Sequence, residues 1–249
     1  VWENAAEKVS YGARRRYLRG RQLDSVMNYP MKNAIIGYVK SGDCAMLYNT
    51  AVELYASYPR AVCDCLMNIL GTHDTERILT ALAGADPEGK SNDELAHLRL
   101  SDDARAYGTA LLKLASVLQY TLYGFPSVFY GDEAGIEGYR DPFCRMPFPW
   151  GRENGELLAH YRTLGRLRRE HSAFAGGDFR ITAHDCGLFA YTREDENEII
   201  HIALNRASFP IHFEFGERWT DLFTGADGSG TAVLEPCGFR IIQVKKKGQ

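Results

Sequence analysis

Three places in this sequence put polar, chemistry-bearing residues directly after an apolar run. Cys65-Leu66-Met67-Asn68-Ile69-Leu70 leads into Gly71-Thr72-His73-Asp74-Thr75-Glu76-Arg77, and Ser127-Val128-Phe129-Tyr130 leads into Gly131-Asp132-Glu133. A shorter case is Ser25-Val26-Met27 followed by Asn28-Tyr29-Pro30. Polar groups that begin just where a buried parallel strand ends lie where β/α sheets bind substrates. The central stretch is the richest, with the carboxylate of Asp74 beside the imidazole of His73. A plainer reading stands next to it. His-Asp pairs arise by chance, and Asp74 or Thr75 could cap a helix that continues through Ile78 and Leu82.

Those residues need elements to hold them, and up to about residue 175 the pattern alternates short apolar strands with amphipathic helices, as in βα units with a parallel sheet. The spacing predicts a helix that follows Asn28-Tyr29-Pro30 and runs through Val39, and Asp43 is placed to cap the next, which Pro59 stops. The near-continuous apolar run 65–70 suits a strand buried on both faces. The strongest helix starts at Ser101 as N-cap, with Asp102 and Asp103 in its first turn. It carries Leu111, Leu114, Leu118 and Leu122 on one face and reaches Gly124 as its stop. A strand at Ser127-Val128-Phe129-Tyr130 follows. A last helix is expected from Gly155 to His171, capped by Asn154. From Asp178 onward the period changes to short alternating segments at 179–182, 188–191, 199–204, 211–215 and 239–244, separated by Gly, Asp and Asn clusters. That is the pattern of an antiparallel β-sandwich. The fold class expected is α/β plus all-β, with one unit over 1–175 and a second over 176–249.

Composition narrows the partners. The 249 residues are 45% hydrophobic and 24% charged, enough for a substantial core, and a formal net charge of -3 gives no electrostatic footprint for nucleic acid or an anionic membrane. No apolar run approaches the roughly 20 residues that span a bilayer. The six cysteines are scattered, Cys63 and Cys65 lack the spacing of a zinc site, and free thiols in a reducing, cytoplasmic setting are expected. The sequence opens on Val1-Trp2-Glu3 with neither initiator Met nor signal core, so a removed upstream part is expected. The Lys245-Lys246-Lys247 end reads as a solvated tail.

Taken together, these motifs resemble the α-amylase superfamily, glycoside hydrolase family 13, over nearly the whole length, and most of all its neopullulanase and cyclomaltodextrinase branch. Residues 68–77 are similar to that family's segment at the end of the seventh barrel strand. Residues 129–138, with Asp141-Pro142-Phe143-Cys144-Arg145-Met146-Pro147-Phe148-Pro149-Trp150, are similar to its eighth-strand segment, and residues 24–30 to the sixth-strand region. The resemblance implies the C-terminal part of a (β/α)8 TIM barrel, about strands 6 to 8, followed by an antiparallel β-sandwich domain C. The family's chemistry is retaining cleavage of α-glucosidic links by a nucleophilic carboxylate and a carboxylic acid. By the matching register the nucleophilic Asp and the acid/base Glu both lie upstream, the Glu one position before Val1. Asp74 would be the third carboxylate, the transition-state stabiliser, which also helps keep the acid protonated.

The same resemblance implies substrate contacts from His73, Asp141, Arg145, Trp2, Glu3 and Arg77. Each has a plainer alternative: Arg77 as a surface or supporting residue one turn into a helix, Asp141 and Arg145 as an ordinary ion pair, Trp2 as core packing. The implied partners are α-glucan oligosaccharides such as maltodextrins, cyclodextrins or pullulan. A missing N-terminal half of the barrel, or a second copy, would cover the open edge. No cofactor is expected, and the loops that decide calcium binding lie upstream. The rival expectation is a non-catalytic carbohydrate-binding or transporter-partner module of the same superfamily, against which the intact His73-Asp74 and Asp141/Arg145 pairs speak.

Overall fold

The computed structural model describes Leu18 and residues 21–244; Trp2, Glu3 and the Lys245-Lys246-Lys247 tail lie outside the described residues. Three short parallel segments come first. Val26 and Met27 run beside Met67, with Met67 N donating to Val26 O at 3.1 Å and Asn28 N to Met67 O at 3.0 Å. β1 (Met67–Ile69) then pairs in parallel with β2 (Phe125–Ser127). Parallel neighbours need long crossovers. The first is filled by α1 (Tyr29–Ser41), α2 (Cys44–Ser57) and α3 (Arg60–Asp64), the second by α4 (Ile78–Ala83), α5 (Asn92–His97) and α6 (Asp102–Thr121). Among the described residues these segments form an open ribbon and not a closed barrel.

Local chemistry explains where the helices start. The Asn28 side chain accepts from Met31 N with Pro30 in the first turn, Asp43 accepts from Ala45 N, and Ser101 accepts from Ala104 N. Asn154 accepts from both Glu156 N and Leu157 N at the head of α7 (Gly155–Glu170). Each cap satisfies a backbone N–H that the helix itself leaves unpaired. The ends depart from expectation. α6 stops at Thr121, because Leu122 turns extended and Gly124 adopts φ +104 at a place where an added Cβ would collide with Leu66 O. The second parallel strand accordingly begins at Phe125 and ends at Ser127, before Tyr130. Of the apolar run 65–70 only Met67–Ile69 forms ladder, while Leu66 and Leu70 are buried around it.

After α8 (Ala173–Gly176) the chain becomes antiparallel. β3 (Asp178–Asp185), β4 (Leu188–Glu194), β5 (Ile199–Asn205), β7 (Trp219–Asp221), β8 (Asp227–Gly228) and β10 (Phe239–Val244) make one sheet in the order β3-β4-β5-β10-β7-β8. β6 (Ile211–Glu214) and β9 (Thr231–Leu234) make a second. Period-two alternation sends Phe189, Tyr191, Ile200, Ile202 and Leu204 to one face, where they merge with Tyr38, Leu114, Leu118 and Leu164 of the helices into a single core. Ala190, Ala203 and Ile242 face the other way and pack on Phe215 and Leu234.

The helical part and the six-stranded sheet therefore share a core. Polar pins cross the junction as well: Tyr38 Oη donates to Gly187 O and Leu204 O, and buried Arg193 donates to Thr121 O at 2.7 Å and to Gly177 O at 3.1 Å. All six cysteines are free thiols. No helix among the described residues is long and apolar enough to cross a membrane.

Candidate active site

The floor of the site is a polar lattice at the strand ends. Asn68 on β1 donates through Nδ2 to Tyr123 O at 2.8 Å and accepts at Oδ1 from Asn28 Nδ2 at 3.1 Å. Gln119 Nε2 of α6 donates to Asn68 O and Ser127 O. Asn28 is fully buried and spent on this lattice and on the α1 cap, so it is a strut between strands and not a ligand contact.

Beyond Leu70 the chain passes Gly71, where an added Cβ would lie 2.5 Å from Asp132 Oδ2. It then makes a tight turn held by two threonines. Thr72 N donates to Thr75 Oγ1 at 3.1 Å, Asp74 N to Thr72 Oγ1 at 3.3 Å, and Thr75 N to Thr72 O at 3.3 Å. The turn uses its own backbone and hydroxyls, which leaves His73 and Asp74 directed outward with side chains 59% and 63% exposed. Neither Asp74 nor Thr75 caps a helix, since α4 begins only at Ile78.

Asp74 meets an imidazole and a guanidinium through one oxygen, with His73 Nε2 at 3.1 Å and Arg145 Nη2 at 3.5 Å from Oδ1. Arg145 Nε also lies 2.5 Å from Asp141 Oδ1. Asp141 and Arg145 come from the loop beyond β2, whose cis Asp141–Pro142 peptide leads into a short 3-10 turn, Phe143–Arg145. Four of the expected site residues are thus brought together: His73, Asp74, Asp141 and Arg145. All are about half exposed or more, and exposed ion pairs are worth about 0–1 kcal/mol, so stability does not account for the arrangement. Two carboxylates, an imidazole and a guanidinium on one open surface offer both acceptors and donors to a hydroxyl-rich ligand.

Arg77 departs from its expected place. It precedes α4 instead of lying a turn inside it, and its side chain is fully buried, with no surface to present to a sugar. Its Nε donates to Cys144 O at 2.5 Å and its Nη1 to Tyr130 O and to Asp132 Oδ1, the latter at 3.3 Å. The guanidinium lies 4.2 Å from the Phe129 ring centroid and 4.5 Å from that of Tyr130. Burial pushes the Asp132 carboxyl up to about 7, with the Arg77 charge pulling the other way. Burial also raises the Glu76 carboxyl and lowers the Lys32 ammonium, which the charge of Asp132 in turn supports.

Two further contacts were missed by sequence reasoning. Cys144 Sγ donates to His73 O at 3.1 Å, tying the two loops together, and Tyr130 Oη donates to Met146 O at 2.9 Å. A lone cysteine and a tyrosine carry no spacing signal that would have marked them. Trp150, further along the same loop, is 81% exposed, with its ring centroid 4.5 Å from that of Phe148.

A parallel ribbon with polar loops at its strand ends, joined to an antiparallel sheet, defines a β/α class of protein, and comparison makes the family specific. Residues 5–164 match the family model described as alpha amylase, catalytic domain, and the chain belongs to the α-amylase family. A cyclomaltodextrinase of Geobacillus thermopakistaniensis (strain MAS1) is 31% identical over 245 residues, covering 92% of this chain and 38% of that protein. A maltogenic alpha-amylase of Bacillus acidopullulyticus is 31% identical over 244 residues, with 91% and 38% covered. The solved type III pullulan hydrolase from Thermococcus kodakarensis superposes with a TM-score of 0.74 at 28% identity, over 92% of this chain and 38% of that one. The chain spans less than two-fifths of the length of these relatives.

Proposed function

We propose that this chain forms one wall of the active site of a retaining α-glucan hydrolase acting on α-1,4 and also α-1,6 glucosidic bonds of maltodextrins, cyclodextrins or pullulan. The observation that carries the reading is the exposed cluster of Asp74, His73, Arg145 and Asp141 at the loops beyond β1 and β2, in a member of a family whose relatives bear the names cyclomaltodextrinase, maltogenic alpha-amylase and amylopullulanase. Residues 1–175 serve as the part of the barrel around strands 6 to 8, and 176–249 as domain C.

In this role Asp74 accepts hydrogen bonds from sugar hydroxyls and stabilises the positive charge that develops on the ring in the oxocarbenium-like transition state. His73 donates to a neighbouring hydroxyl, and Arg145 with Asp141 grips the non-reducing-side sugar through paired donors and acceptors. Trp2 is assigned to the leaving-group sugar and Glu3 to a substrate-side polar position, both by resemblance alone. The nucleophile and the proton donor are matched by no carboxylate of these 249 residues. The remaining barrel strands, or a second copy, cover the open edge at Phe125–Ser127, where Phe125 is 40% exposed. Six free thiols fit a reducing, cytoplasmic location. A scaffold or transporter partner would have no chemical use for four half-exposed charged and imidazole groups that add little stability.

The test has two arms. The complete enzyme should release sugars from maltotriose and β-cyclodextrin with the α-anomer formed first by NMR, and the 249-residue chain alone should not turn over either. Inversion of the anomeric centre, or turnover by the chain alone after mass-verified purification, would overturn the reading.

A further inference from the structure

Resting on that reading, we propose that Arg77 is a positioning residue: from beneath the surface it sets the distance between Asp74 and the Asp141–Arg145 pair, and so how tightly the glucan is held against Asp74. The two loops that carry these groups have little of their own to fix their spacing. The only ion pair that bridges them on the surface among the described residues, Arg145 to Asp74, is 3.5 Å long with both side chains about half exposed or more.

Below the surface the linkage is dense. Arg77 closes the His73-Asp74 loop, and its backbone N donates to Gly138 O at 2.9 Å while its Nε donates to Cys144 O at 2.5 Å, the carbonyl immediately before Arg145. Cys144 answers in the other direction, donating its thiol to His73 O at 3.1 Å. Nη1 alone holds the intervening loop, at Tyr130 O and Asp132 Oδ1, Nη2 is buried without a hydrogen-bond partner, and the flat cation is in contact with the rings of Phe129 and Tyr130. Each bond ends within two residues of a ligand-facing side chain or on the loop between them.

The chemistry asks for arginine. A planar guanidinium directs several donors along fixed lines and stacks on aromatic rings, whereas a lysine ammonium is a single point that cannot reach Cys144 O and Tyr130 O together. A shift of about 1 Å between catalytic groups can cost about a hundredfold in rate.

The experiment is a double-mutant cycle in the complete enzyme with maltotriose, using Arg77→Lys and Arg145→Ala singly and together, with the core variant Leu114→Ala as a control for plain destabilisation. Arg77→Lys should lower kcat/KM about a hundredfold, while in the Arg145→Ala background the further loss should shrink below about tenfold, because part of what Arg77 positions is already gone. Leu114→Ala should leave kcat/KM of the folded fraction within about twofold and show no coupling to Arg145→Ala. Losses that multiply, or an Arg77→Lys loss no larger than that of Leu114→Ala, would overturn the proposal. Should Arg77→Lys not fold, Phe129→Leu loosens the same cation without removing a hydrogen bond. It should lose about tenfold in the wild-type background and less than about threefold beside Arg145→Ala, and equal losses would again refute the proposal. A wild-type enzyme inactive on maltotriose would instead sink the functional reading on which this rests.

Discussion

His160 offers a stability test that depends on no assumption about substrate. It lies on α7, 4% exposed, with Nε2 2.8 Å from Ser116 Oγ of α6 and its ring packed against Phe223 and Phe239. Burial drives its pKa from 6.5 down to about 4, helped by the nearby Lys113 ammonium and opposed by Glu156, which pairs with that same lysine. Below pH 6.5 the unfolded chain takes up a proton that the folded chain refuses, so stability is full above about 6.5 and is lost as pH falls toward 4. The two values imply a loss of about 1.4 kcal/mol at pH 5.5 and about 2.5 kcal/mol at pH 4.5 relative to neutral pH.

His160→Phe keeps the ring volume and removes the proton site, while Ser116 Oγ retains its bond to Lys113 O. Urea unfolding of both chains at pH 7.5, 5.5 and 4.5 isolates the effect, because every other titrating group, including His201 with its own lowered pKa, cancels in the difference. The variant should gain on the wild type by about 2.5 kcal/mol between pH 7.5 and 4.5. Curves that stay parallel within about 0.5 kcal/mol would refute the burial argument.

Other perturbations follow from single contacts. Gly124→Ala forces a Cβ against Leu66 O at φ +104 and should cost about 3 kcal/mol or more, read as a lowered urea midpoint. Arg193→Met leaves the carbonyls of Thr121 and Gly177 without their buried donor and should cost about 3 kcal/mol, with the helical part and the sheet still unfolding in one transition because their core is shared. Size-exclusion with light scattering should find the isolated 249-residue chain self-associated through its open parallel edge; a well-folded monomer would contradict this.

The parts of this molecule that could be read from sequence are those whose signal is local and repeated. α6 and α7 declare themselves by a side-chain cap followed by several turns of apolar spacing, and the longer strands β3, β4, β5 and β10 by alternation. Short elements fix too few residues to show a period: β7, β8 and β9 span two to four residues each and exist because neighbouring strands hold them. The end of α6 and the start of β2 were misplaced for a related reason, since a close approach of Gly124 to Leu66, 58 positions away, decides both.

Within the site, His73 and Asp74 were legible because they stand on a short loop after a strand, whereas Asp141 and Arg145, 14 and 18 residues beyond the end of β2 at Ser127, were marked by the family resemblance alone. Arg77 was not. Its role is set by Phe129, Tyr130, Asp132 and Cys144 on another loop, and a guanidinium that turns inward onto two rings looks, in one dimension, like any arginine near a helix.

The central claim concerns Asp74, and the most direct measurement is kcat/KM of the complete enzyme carrying Asp74→Asn on maltotriose, with Tm recorded on the same samples. Asp74 is well exposed and its ion pairs contribute little to the fold, so Tm should stay within about 2 °C. A carboxylate aimed at developing positive charge should cost about a hundredfold to a thousandfold in kcat/KM when it becomes an amide. Activity within about threefold of wild type would contradict the account.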